Sequence, residues 1–242
     1  MSAPPIAVGV VLAAGIGSRV GADGNKAYLQ LAGRSMVAWS VAAVAASPAV
    51  ARTILVFRRG ERDQVAALVA DELPGTTVEF VEGGDSRHGS EHNVLSYLAA
   101  DIDAGTVDVV LIHDAARPLA GADLMDTAVT TARMQGGAIP VLPSGDVLRQ
   151  SADGLSAIDQ SLVRVQTPQA FRAAPLWQAY QDAAAAGFEG TDTSSCVERF
   201  TDIAVHAIAG SAQNFKVTFA HDVQVAERLL SRRDGQVPTR PA

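Results

Sequence analysis

Arg19 and Lys26 stand seven residues apart, beside the turn Gly15-Ile16-Gly17-Ser18. Glycines let a backbone turn sharply and approach a ligand closely. Successive N–H groups in such a turn make an anion-binding concavity. Two cations added to it suit polyphosphate. Far downstream, Asp114 follows the apolar run Asp108–Ile112, where a strand would deliver it to the end of a sheet. A lone carboxylate there can serve as the single protein ligand of Mg²⁺, which often fills its shell with phosphate oxygens and water. Two plainer readings stay open. Gly15 and Gly17 also suit an ordinary strand-to-helix turn, and Asp114 could cap a helix after Pro118. No serine, cysteine or histidine is paired with a base. His88 and His92 have no third ligand at metal spacing and read as solvated.

The elements that must hold these residues follow from hydrophobic pattern. Ile6–Ala14 is an unbroken apolar run, as in a strand buried on both faces. Neither familiar glycine-loop motif fits what comes next. Val20 stands where both G-x-x-x-x-G-K-[ST] and G-x-G-x-x-G need glycine. Further strands are predicted at Thr53–Phe57, Thr77–Val81, Asp108–Ile112 and Ala138–Leu142. Helices are predicted within 27–49 (N-cap Ser35), at Asp63–Leu73, Glu91–Ala100 (N-cap Ser90), Ala122–Gly136, Pro175–Ala186, from Thr191 onward and at Asp222–Leu230. The loop Glu82–Ser90 holds two glycines, an acid, an arginine and a serine. It suits either backbone contact with a ligand or a polar helix cap. Pro143–Gln166 changes to alternating character around Asp153-Gly154, a hairpin signal, and reads as a projecting β-arm. An isolated ribbon is marginal in water, so the arm should pack on something.

Composition sets outer bounds. The 242 residues are 48% hydrophobic and 19% charged, enough for a sizeable core. A net charge of −7 argues against nucleic acid or an anionic membrane as main partner. The single cysteine, Cys196, excludes an internal disulfide framework. No signal peptide or spanning run is legible, so a cytoplasmic enzyme is expected. The economical layout is one domain over residues 1–235, an arm at 143–166 and a disordered tail at 236–242.

The full pattern, LAAGIGSR followed by K-A-Y-L-Q-L-A-G-R-S-M, resembles the nucleotidyltransferases that build NDP-sugars and CDP-polyols. Within that group the chain looks most like the 2-C-methyl-D-erythritol 4-phosphate cytidylyltransferase family. Further matches are GGDSRHGS at 83–90, HDAARP at 113–118, TPQAF at 167–171, TDTSS at 191–195 and NFKVT at 214–218. The resemblance implies an α/β fold: a Rossmann-like, mostly parallel sheet flanked by helices, with the arm embracing a second subunit in a homodimer. It implies CTP and a small polyol phosphate as substrates and Mg²⁺ as cofactor. Ala13, Ala14, Gly15 and Gly17 would hold the nucleotide. Gly84, Asp85 and the Ser90 hydroxyl would read the cytosine, with Arg87 ordering their loop. Arg19, Lys26 and Lys216 would be catalytic cations and Asp114 the metal ligand. Arg117, Arg164 and Thr167 would serve the acceptor, Thr167 through a hydroxyl facing its phosphate.

Four positions depart from that pattern. Asn25 precedes Lys26 where proline is usual. Asp146-Val147 replaces D-T, and Thr193 replaces an acid. Asp159, or Gln160 if the arm is one residue shorter, stands where an arm arginine is expected. An ionised Asp159 4 Å from a phosphate would be repelled by roughly 4 kcal/mol at an effective dielectric of about 20. Either Arg164 faces that phosphate through a shifted arm, or the acceptor differs. Three readings follow: the family's own reaction, transfer to another polyol phosphate such as ribitol 5-phosphate, or a CTP-binding regulator without acceptor chemistry.

Overall fold

The structure, a computed structural model, describes residues 4–15, 25–145, 147–152, 154–158 and 160–234. Gly17, Arg19, Asp146, Asp153, Asp159 and the tail from Gly235 lie outside the described residues.

The core strands are β1 (Ile6–Leu12), β4 (Val50–Phe57), β5 (Glu79–Glu82) and β6 (Val107–Asp114), all parallel. They lie in the order β6-β1-β4-β5. Beyond β6 the sheet continues through β11 (Gln169–Arg172) to β7 (Gly137–Pro143), which pairs with both β10 (Val163–Val165) and β12 (Val205–Ala209). Only β10 and β11 run antiparallel within it. Two short strands, β2 (Gln30–Leu31) and β3 (Arg34–Ser35), form a separate ribbon.

Helices cover both faces, which explains the unbroken apolar runs. Ala7, Val11, Leu55, Val109 and Leu111 face α1 (Met36–Ala45), α2 (Arg62–Glu72) and α4 (Ala122–Gln135). Val8, Val10, Ile54, Val56, Val110 and Ile112 face α3 (Arg87–Asp103), α5 (Ala173–Ala186) and α6 (Thr193–Phe200). The period-2 alternation of a strand thus loads two cores at once. A third cluster joins Leu31, Met36, Leu119 and Val217 to Ala226 and Leu230 of α7 (Ala220–Asp234). It fixes the segment that carries Lys216.

Chain direction within the sheet positions the site. From β1 the chain moves outward to β4 and β5, then returns to lay β6 on the other side of β1. That reversal opens a crevice at the carboxyl ends of β1 and β6, where ligands of open α/β sheets bind.

Two expectations need correction. Helix α3 starts at Arg87, four residues before the expected Glu91, and Ser86 rather than Ser90 is its N-cap, its Oγ accepting from Gly89 N at 3.0 Å. The expected arm is not one unit either. Its return strand β10 belongs to the main sheet, and only the hairpin β8 (Leu148–Ser151) with β9 (Gly154–Ala157) stands apart.

Helix α1 lies so close to β1 that a Cβ on Gly9 would stand 2.3 Å from Val44 Cγ1. Gly9→Ala should therefore cost about 1–3 kcal/mol of stability by overpacking. In denaturant unfolding, Gly9→Ala/Val44→Ala should lose less than the two single losses added together. Strict additivity would contradict the contact.

Candidate active site

A cleft of about 360 Å³ lies at the switch point. Its floor is Leu12–Gly15 at the end of β1 and Asp114–Ala116 at the end of β6; Gly84–Arg87 with Ser90 form one wall and Asn25, Lys26 and Lys216 another. Ala13, Ala14, Gly15, Gly84, Asp85, Ser90, Lys26, Lys216 and Asp114 all line this one cleft. The structure does not place Arg117, Thr167 or Arg164 on this cleft.

Asp114 is its electrostatic centre. Lys216 Nζ lies 2.8 Å from one carboxylate oxygen, and Arg87 Nη2 is 3.4 Å from the other. Burial pushes this carboxyl up, but Lys216 and Arg87 outweigh that and hold it below the usual carboxylate range. Its main chain is held as well. Asp114 N donates to Thr167 Oγ1 at 3.0 Å, and that hydroxyl lies 3.2 Å from His113 Nδ1. His113 Nε2 lies 3.1 Å from Arg117 O. A carbonyl can only accept, so the proton sits on Nε2, and Thr167 donates to Nδ1. Thr167 is buried, and its hydroxyl fixes Asp114 rather than facing a phosphate as expected.

Lys216 is set by the segment that carries it. Val217 N donates to Ala116 O at 2.8 Å, tying NFKVT to HDAARP. The carbonyl of Val217 then accepts from Lys26 Nζ at 2.9 Å, so the two lysines approach the cleft through one residue. Asn25, where proline was expected, does a defined job. Its side chain donates to Ala13 O and to Glu61 Oε2, both at 2.9 Å, and accepts from Ala27 N at 3.0 Å. It caps the short 3-10 turn Lys26–Tyr28 and staples it to the end of β1.

The glycine loop after β5 is close-packed. A Cβ on Gly83 would come within 2.5 Å of Ala14 Cβ, and one on Gly84 within 2.7 Å of the Gly89 backbone. Ser90 Oγ accepts from Gly84 N at 3.1 Å and donates to Ser86 O at 2.8 Å. The Ser90 hydroxyl is therefore spent on holding the loop. The Asp85 side chain stands in solvent, 98% exposed.

Sequence reasoning gave Arg87 only a loop-ordering role, yet its guanidinium lines the cleft. With α3 expected to start at Glu91, the four-residue spacing of Arg87 and Glu91 on one helix was hidden. Thr193, in place of an acid, donates to Glu91 Oε1 at 2.6 Å. His88, read as solvated, is buried and stacked on Tyr180 with ring centroids 4.6 Å apart. Arg117 Nη1 donates to Asn214 O at 2.8 Å. Arg164 lies on exposed β10, paired with Leu142. Cys196 is buried, and burial pushes its thiol up to about 12, so it offers no thiolate.

Among the described residues no cluster of three or more His, Cys, Asp or Glu side chains could hold a metal. A metal here would have one protein ligand, Asp114, kept ionised and adjacent to the cleft. That fits Mg²⁺, a hard cation able to complete its shell from phosphate and water.

Burial lowers His113 from 6.5 to about 4. At this residue the unfolded chain therefore binds an extra proton between those values, and His113 contributes a rise in stability with pH across that window of about 3 kcal/mol. Asp114 acts only below its ordinary 3.8, outside the window. His88, also lowered by burial, acts with the same sign, and Glu91, raised by burial, acts against both. Urea unfolding from pH 4.5 to 7 should show a shallower rise for His113→Gln than for wild type. An unchanged slope in the variant would contradict the buried neutral imidazole.

The sequence profile described as 2-C-methyl-D-erythritol 4-phosphate cytidylyltransferase matches residues 7–232. A protein of that name from Solibacter usitatus is 35% identical over 238 residues, covering 92% of this chain and 95% of the relative. One from Cereibacter sphaeroides is 38% identical over 232 residues, covering 93% and 97%. The crystal structure of 4-diphosphocytidyl-2C-methyl-D-erythritol synthase from Anaerococcus prevotii superposes with a TM-score of 0.80 at 25% identity, covering 94% of this chain and 97% of that one. That of the Thermus thermophilus cytidylyltransferase gives 0.70 at 28%, covering 91% and 97%. No helix among the described residues is long and apolar enough to cross a membrane. On sequence and on fold, the chain belongs to the 2-C-methyl-D-erythritol 4-phosphate cytidylyltransferase family.

Proposed function

We propose that this chain carries out its family's reaction, transferring CMP from CTP to 2-C-methyl-D-erythritol 4-phosphate with release of pyrophosphate, in isoprenoid precursor synthesis in the cytoplasm. The observation that carries the reading is the cleft's charge arrangement: Lys216 and Arg87 flank a buried Asp114, and Lys26 reaches the same wall.

An oxygen of the acceptor phosphate attacks the α-phosphorus of CTP. A new P–O bond forms, the bond to the β-phosphate bridge breaks, and pyrophosphate leaves with the electron pair. The nucleophile is already anionic near neutral pH, so no base is required of the protein. What slows the step is repulsion between two polyanions and charge gathering on the leaving group. Preorganised cations in a partly dry site are the remedy. Lys216 serves the α-phosphate, and Lys26, together with Arg19, serves the triphosphate and leaving pyrophosphate. Asp114 would hold Mg²⁺, which supplies positive charge to the triphosphate oxygens when bound. The backbone of Gly84 and Asp85, pinned by Ser90, reads the cytosine.

The acceptor side uses Arg117 and Arg164. Buried Arg117 Nε has no hydrogen-bond partner among the described residues. Thr167 acts through Asp114. The β8–β9 hairpin exposes Leu148 and Leu155 and pairs with no other strand among the described residues. Two exposed strands with apolar side chains seek cover, and a second copy supplies it in a homodimer.

Pyrophosphate release from CTP and a panel of polyol phosphates should be fastest with 2-C-methyl-D-erythritol 4-phosphate; a preference for ribitol 5-phosphate, or no turnover, would overturn the assignment. CTP with Mg²⁺ should raise the melting temperature, and GTP should not. Asp114→Asn should fold and lose roughly 10²-fold or more in turnover. Arg164→Ala should raise the acceptor's KM far more than that of CTP. Leu148→Asp/Leu155→Asp should run as a monomer in light scattering; an intact dimer would place the interface elsewhere.

A further inference from the structure

Glu91 is 1% exposed, on the inward face of α3. A buried carboxylate is costly unless donors surround it. Three do. Arg87 Nη1 and Thr193 Oγ1 donate to Oε1, and the Tyr180 hydroxyl donates to Oε2. All three partners come from different elements: the first turn of α3, the first residue of α6 and the middle of α5. Burial pushes the Glu91 carboxyl up, and Arg87 with the two hydroxyls pulls against that, toward the ionised form.

The consequence appears at the other end of the guanidinium. Arg87 Nη1 is committed to Glu91, with Thr193 Oγ1 at 3.5 Å, and only Nη2 reaches Asp114, at 3.4 Å. A charge-assisted pair free to close settles near 2.7–2.9 Å and is often bidentate. Lys216, on the opposite side, does close, to 2.8 Å. So Asp114 is gripped on one oxygen and only approached on the other.

We propose that Glu91 is a positioning residue that holds Arg87 back from Asp114, keeping the second carboxylate oxygen open to the cleft. Without it, Arg87 would swing onto Asp114 and close a bidentate pair, leaving that oxygen unable to serve substrate or metal. The inference rests on the cytidylyl-transfer reading for its kinetic test and on geometry alone for its spectroscopic one.

The experiment uses the full chain with CTP and 2-C-methyl-D-erythritol 4-phosphate. Glu91→Gln keeps the shape and removes the charge. It should lower kcat at least 10-fold and leave the KM for CTP within about 3-fold. In an Arg87→Ala background the same change should cost less than about 2-fold, because Glu91 acts only through Arg87. Should Glu91→Gln not fold, Glu91→Asp, which keeps the charge and withdraws it by one methylene, is judged by the same criteria. Wild-type kcat in the variant, or an equal loss with Arg87 absent, overturns the proposal. If the wild type itself does not turn over, the functional reading fails, and Arg87 still decides this one. In ¹⁵N-arginine-labelled protein its guanidinium signals, assigned by their loss in Arg87→Ala, should shift on Glu91→Gln. Unchanged signals overturn the positioning role.

Discussion

A buried carboxylate has to be compensated where it stands, and Asp114 is compensated from both sides. Lys216 comes from a segment 102 residues away and Arg87 from the first turn of α3, 27 residues away. Much of the architecture exists to make those two meetings possible. The reversal of strand order at β1 opens the crevice. The third core cluster seats Val217 so that Lys216 points in, and Ser86 starts α3 early enough to put Arg87 on it. Remove the cations and an uncompensated buried charge is left, which commonly costs several kcal/mol. Place a polyphosphate nearby, and the same cations are already aimed.

The support around this centre is mostly main-chain and neutral. Thr167 and His113 fix the Asp114 peptide through a chain of hydrogen bonds with one sense of donation. Because burial keeps His113 neutral, that chain adds no charge to the site. Asn25 does for Lys26 what Ser90 does for Gly84: a short polar side chain pins a loop to the end of a strand. Site geometry around Asp114, Lys26 and Gly84 is thus carried by neutral groups, and Glu91 behind Arg87 is the charged exception.

Hydrophobic runs made the sheet legible. β1, β6 and the second half of β4 are buried on both faces, and an unbroken apolar run of strand length is what such burial requires. The cleft residues were legible wherever a motif named them, as with Asp114, Lys26 and Lys216. What escaped was the partner of each motif residue. A serine two positions after a glycine pair and one six positions after both look like caps; in the fold Ser86 accepts from Gly89 N, and Ser90 turns back to Gly84 N. Glu91 looks like a surface residue on a helix that starts there; its burial depends on Tyr180 and Thr193, remote in sequence. Thr193 and Asn25 looked like losses. Each turned out to be paired, Thr193 with Glu91 and Asn25 with Glu61. The arm mixed two destinations in one alternating pattern, and alternation alone does not say which sheet a strand joins.

Asp114 is held ionised between two cations, Lys216 and Arg87. Carbonyl ¹³C titration of aspartate-labelled protein reports this directly. With the Asp114 signal identified by its absence in Asp114→Asn, it should titrate below the ordinary aspartate value of about 3.9, and Lys216→Met should move it upward. A midpoint at or above the ordinary value in the wild type, or one indifferent to Lys216, would contradict the account.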